Sequence, residues 1–119
     1  METKEQKVLL QRIKLTETQS LNIAQKYYSL LSAIGNSPLT EREIQLVAFT
    51  AIKGNISYSS NREEFCILYK SSSPTINNII SKLKKMKILV KDAGKIKVDP
   101  KYLLDFNKDI VLQISLLHG

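Results

Sequence analysis

Between Lys82 and Lys101 the chain sets eight lysines against two aspartates, so this stretch carries +6 of a formal net charge of +7. Ammonium groups at that density neutralise phosphates, and the release of condensed counterions then supplies affinity for a nucleic acid whatever its sequence. Lys82, Lys84, Lys85 and Lys87 sit in the first half of the stretch, and Lys95 and Lys97 in the second. Just ahead of them stand Ser72, Ser73, Thr75, Asn77, Asn78 and Ser81, whose hydroxyls and amides suit phosphate oxygens or base edges. Asparagine in particular can pair bidentately with adenine, which makes Asn77 and Asn78 the candidate base readers. Each of these has a plainer reading. The lysines could be a solvated face, Ser72, Ser73 and Thr75 could cap a helix, and the asparagines could line a polar helix face. No arginine occurs in residues 63–119, so the commonest reader of guanine is missing from this region.

Other chemistry finds little support. The single histidine, His118, lies next to the C-terminus, and one Cys with one His makes no zinc cluster. Cys66 sits between Phe65 and Ile67, a setting for a small core side chain rather than a nucleophile. Glu41, Glu43, Glu63 and Glu64 fall in helix first turns, where the macrodipole and capping account for them. Four glycines form no phosphate-binding loop, and Asp105 and Asp109 are isolated carboxylates. The expectation is a protein that is not an enzyme and needs no cofactor or metal.

The elements that would position the basic stretch follow from punctuation and periodicity. At 119 residues, with 43% apolar and 24% charged side chains, the chain has the size and composition of one globular domain. The branched run Lys7–Leu15 reads as extended. Thr16 or Thr18 would then cap a helix over 17–34, with Leu21, Ala24, Tyr28 and Leu31 at helical spacing and Gly35–Pro38 ending it. Thr40-Glu41-Arg42-Glu43 is a capping box, opening a helix that buries Ile44, Val47, Ala48, Ala51 and Ile52 and stops at Gly54. Ile56–Tyr58 reads as a short strand. A helix over 64–70 should bury Phe65, Ile67, Leu68 and Tyr69, and Ser71–Pro74 is the turn after it. The next helix runs from Pro74 or Thr75 to about Lys87 over Ile76, Ile79 or Ile80, Leu83 and Met86. Ile88–Val90 and Ile96–Val98 form a hairpin around Asp92-Ala93-Gly94-Lys95, with Gly94 free to adopt positive φ. Lys101–Phe106 makes a helical turn, and Asp109–Leu117 alternates like a strand, so the two ends could pair.

The segment Tyr69-Lys70-Ser71-Ser72-Ser73-Pro74-Thr75-Ile76-Asn77-Asn78-Ile79-Ile80-Ser81-Lys82-Leu83-Lys84-Lys85-Met86-Lys87-Ile88-Leu89-Val90 resembles the recognition segment of MarR-like winged helix-turn-helix regulators. The glycine such families often carry ahead of the strand is Lys87 here, and their turn glycine is replaced by serines. A weaker likeness, over Val98–Tyr102, is to winged domains of phage and plasmid proteins. The resemblance covers roughly 40–100. It implies a mainly α fold with a small β-hairpin (α+β), a winged helix-turn-helix with an added N-terminal helix and strand-like termini. The chain would divide into an extension (1–39), a winged core (40–100) and an apolar tail (101–119).

Two functions fit this reading. One is a small transcriptional or replication regulator that binds double-stranded DNA. Its helix 74–87 would lie in the major groove and its wing 88–98 on the backbone, with a homodimer formed through 17–34 and the tail. The other is a structural or assembly adaptor, such as a phage virion component, whose strand-like termini add to a partner's sheet. A single cysteine and an N-terminus without an apolar signal core imply a cytoplasmic protein, or one carried inside a virus particle, with no membrane partner.

Overall fold

The computed structural model describes residues 4–35, 38–104 and 106, with side chains from residue 18 onward. Four α-helices precede a two-stranded antiparallel hairpin: α1 (Lys4–Ile34), α2 (Glu41–Lys53), α3 (Ser59–Tyr69), α4 (Ser73–Lys85), β1 (Leu89–Asp92) and β2 (Lys95–Val98). A single 3₁₀ turn over Pro100–Tyr102 follows. The fold is mainly helical with a small sheet, in agreement with the α+β expectation.

The start of the chain differs from its sequence reading. Residues 7–15 are not extended, and Thr16 and Thr18 are not caps, because all of them lie inside the 31-residue α1. Val8 and Ile13 are branched, but their neighbours are Leu, Gln, Lys and Arg, which favour a helix. The first glycine is Gly35 and the first proline Pro38, so nothing interrupts propagation. The N-terminus is therefore not strand-like, and the tail 109–117 lies outside the described residues. Ser20, Ala24 and Tyr28 of α1 are buried at successive turns, and α1 packs chiefly on α2. The apolar stripe suggested for a dimer thus faces the chain's own core.

The capping box forms as its residues dictate. The Thr40 amide donates to Glu43 Oε1 at 2.8 Å, and the Glu43 amide donates to Thr40 Oγ1 at 3.2 Å. The helix it opens is more enclosed than a one-sided stripe implies. Leu46, Val47, Ala48, Phe49 and Thr50 are all buried, whereas Ile44, Ala51 and Ile52 are only half-buried. The cause is position, since α2 touches α1, α3, α4 and β2. Gly54, at φ 93°, ends the helix and bonds back to the Thr50 carbonyl.

Residues 56–58 make no strand. One backbone bond, Ile56 N–H to the Ile96 carbonyl at 2.9 Å, ties this loop to β2, and Ser57 Oγ accepts from the Ile96 amide at 2.6 Å. The Asn55 side chain shapes the loop by accepting from the amides of Ser57 and Tyr58. Here local side-chain bonding wins over ladder pairing. Helix α3 begins at Ser59, five residues before the expected start, with no side-chain cap. It buries Phe65, which meets Phe49 edge-on at 5.4 Å and Tyr69 at 4.8 Å. Ile67 (81% exposed) and Leu68 (52% exposed) point outward, against the expectation that they lie in the core. Of the four, residues 65 and 69, one turn apart, share the inward face, where Cys66 also packs half-buried against the core.

Helix α4 buries Ile76, Ile79, Ile80 and Leu83 and leaves Met86 half-buried beyond its end. Its C-terminus is a Schellman motif, with the Lys87 amide on the Lys84 carbonyl and the Ile88 amide on the Leu83 carbonyl. This geometry puts Lys87 at φ 62°, a conformation that favours glycine. Lys70, at φ 51°, occupies the equivalent place after α3. The hairpin pairs Leu89 with Val98 and Asp92 with Lys95, closed by Ala93 (φ 51°) and Gly94 (φ 78°). Two successive positive φ angles make the two-residue turn whose twist matches the strands. Leu89 and Val98 anchor the hairpin in the core. Tyr28 donates to the Tyr102 carbonyl at 2.7 Å, and Phe106 packs beside Tyr27 and Tyr28.

Candidate nucleic-acid interface

The outer side of α4 is built by elimination. With Ile76, Ile79, Ile80 and Leu83 inward, Thr75, Asn77, Asn78, Ser81, Lys82, Lys84 and Lys85 are exposed. Asn78, Ser81 and Lys85 follow one another at helical spacing along the ridge farthest from the core. Ser72 and Ser73, at the start of the helix, are also exposed. Ser72 caps α4, accepting from the Thr75 amide at 3.4 Å, and its hydroxyl lies 2.9 Å from Thr75 Oγ1. Capping therefore accounts for Ser72 and Thr75, while the free helix end still favours an anion.

The basic candidates fall into two groups. Lys84, Lys85 and Lys87 are exposed at the C-terminal end of α4. Three others are engaged within the chain. Lys82 Nζ lies 2.8 Å from Glu43 Oε2, whose side chain is only 7% exposed. Lys97 Nζ is 3.7 Å from Asp92 Oδ2 across the hairpin, and the Lys95 ammonium stands 5.2 Å from the centre of the Tyr58 ring. Hydrogen bonding to Tyr58 raises the Lys95 pKa. Burial alone would push the Glu43 carboxyl up. The bonds from Lys82 and from Thr40 outweigh it and hold the group below the ordinary carboxylate range.

Asn77 and Asn78 are adjacent in sequence but differ in circumstance. The Asn78 side chain makes no hydrogen bond within the described residues. Asn77 Oδ1 accepts from Arg62 Nη1 at 2.8 Å, while Arg62 Nε donates to the Ile56 carbonyl at 2.9 Å. Arg62 thus stands beside α4 although it belongs to α3. Sequence reasoning missed it because it lies one residue outside the arginine-free region and 15 residues from its partner.

Among the described residues no group of three or more His, Cys, Asp and Glu side chains converges on a metal-sized space. No helix among them is long and apolar enough to cross a membrane. An apolar cavity of about 320 Å³ lies between α1, α2 and the end of α4, lined by Tyr28, Leu31, Ser32, Val47, Met86 and Tyr102 among others. Two of its hydroxyls are engaged, Tyr28 with the Tyr102 carbonyl and Ser32 with the Leu39 amide. Comparison with protein-family models, with curated proteins and with solved structures gave no match.

Proposed function

We propose that this chain is a duplex-DNA-binding protein on a winged helix-turn-helix scaffold, a small transcriptional or replication regulator. In this reading α3, the turn at Lys70–Ser72 and α4 are the helix-turn-helix, and the β1–β2 hairpin is the wing. The observation that carries it is the division of α4. Its apolar side is wholly buried, while its outer side is a continuous polar and basic face with no other part of the described chain over it. The left-handed residues that follow α3 and α4, Lys70 and Lys87, support the same reading, since the fold holds lysine at each place where glycine would be easiest. The assembly-adaptor alternative loses one of its two supports, because the N-terminal segment offered for strand addition is helical.

Fluorescence anisotropy with random-sequence duplex DNA across a salt series tests the proposal. Binding should weaken steeply with salt. Replacing Lys84, Lys85 and Lys87 together by Ala should flatten the log–log slope by up to about three units and lower affinity evenly across sequences. Unchanged affinity in the triple variant would sink the assignment of this surface to DNA.

A further inference from the structure

The contact between Arg62 and Asn77 has a directional consequence. A guanidinium offers only donors, so the Asn77 amide must turn its oxygen toward Arg62 Nη1, the 2.8 Å partner. The amide nitrogen, with both its protons, then faces away from Arg62. The guanidinium is fixed as well, because its Nε is engaged by the Ile56 carbonyl at 2.9 Å. Nη2 and the second Nη1 proton remain available. What the pair turns outward is therefore donors alone, on the exposed flank of α4.

In the major groove guanine presents two acceptors, N7 and O6, whereas adenine presents an acceptor beside an amino donor. Cytosine offers only its amino donor at that edge, and thymine one acceptor beside a methyl group. We infer that Arg62 and Asn77 together form a guanine-reading element, donating from both helices of the helix-turn-helix to the N7/O6 edge. Adenine in the same place would set its amino group against the Asn77 amino group, leaving donors unpaired. Asn77 is thereby removed from the adenine readers, and Asn78, which keeps both edges of its amide, is the one that remains. The arginine missing from the later sequence is supplied by α3. This inference rests on the DNA-binding reading of α4 and adds to it the identity of one base.

The test uses the full chain. A preferred duplex is selected from a randomised pool, and each guanine in it is replaced in turn by 7-deazaguanine, which deletes the N7 acceptor and keeps base pairing. At one guanine the replacement should weaken binding roughly tenfold. In Asn77→Asp the new carboxylate still accepts from Arg62 but turns an acceptor outward, so that penalty should vanish and cytosine gain at the position. Should Asn77→Asp not fold, Asn77→Ala removes the Asn77 donors alone and adds no acceptor, so the penalty should shrink with no gain for cytosine. A 7-deazaguanine penalty that persists undiminished in these variants would overturn the inference. So would a loss of affinity equal for every duplex, which would place the pair on a phosphate while leaving the DNA-binding reading intact. Absence of any binding at low salt would overturn both.

Discussion

Two side-chain contacts flank α4, and they look alike on paper. On one flank Lys82 reaches from α4 to Glu43 of α2, and on the other Arg62 reaches from α3 to Asn77. Each ties the helix to a neighbour through a cation and an oxygen. They differ in what is left over. The Glu43 carboxylate is buried and already accepts from the Thr40 amide, so the acceptor on that flank is closed to a ligand while Lys82 itself stays half-exposed, and the value of the contact is to the fold. Asn77 is exposed and Arg62 half-buried, with several protons unused among the described residues, so that flank is open and, on the DNA-binding proposal, its value is to recognition. The role of a charged residue follows from the hydrogen-bonding capacity its partner leaves exposed, more than from the charge.

The comparison can be broken most forcefully at Glu43. Glu43→Ala removes the capping-box partner and leaves Lys82 unpaired, and should cost about 2 kcal/mol, measured by urea denaturation. The folded fraction should bind DNA as before. If the variant lost affinity without losing stability, the two flanks would have exchanged roles.

Acid sharpens the same point. The Glu43 carboxyl is held below its ordinary pKa in the folded chain, so the unfolded chain binds a proton first as pH falls. The corresponding stability is present above the ordinary carboxylate range and is lost as pH drops through the folded value. Denaturation followed by circular dichroism from pH 7 to pH 3 should show this loss. Glu43→Gln should flatten the profile, whereas Asn77→Ala should leave its shape unchanged.

The smallest effect is expected at Lys87. Glycine relieves a left-handed residue, which costs roughly 1 kcal/mol, but gives back part of that gain through a more disordered unfolded chain. Lys87→Gly should therefore stabilise the fold by about 0.5 kcal/mol in urea denaturation, while removing about one unit of salt slope from DNA binding. Stability and affinity moving in opposite directions would mark a position held for its charge.

How much of this could be read in the sequence depended on the range of the interactions. The capping box at Thr40, the apolar stripe of α4 and the Ala93–Gly94 turn are local, each written within a few residues, and each formed. The run at 7–15 misled because its two branched residues suggested a strand, although no breaker separates it from the helix that follows. Ile67 and Leu68 misled because their apolarity was taken for burial, which only the packing direction of α3 decides. The Arg62–Asn77 contact was beyond reach, because it needs the placement of two helices across a turn. The face of α4 was legible, but the partners of Lys82 and Asn77 on its two flanks were not.

One residue joins these parts. Ile56 is held at both its nitrogen, by the Ile96 carbonyl, and its oxygen, by Arg62. Its amide proton is sealed by the hairpin while its carbonyl steadies the arginine beside α4. In deuterated water that single proton would act as a clock, slow to exchange while hairpin and helices stay together and faster once either lets go. A resonance assigned to Ile56 would thus report, from inside the molecule, whether the two surfaces that flank the basic helix behave as one piece.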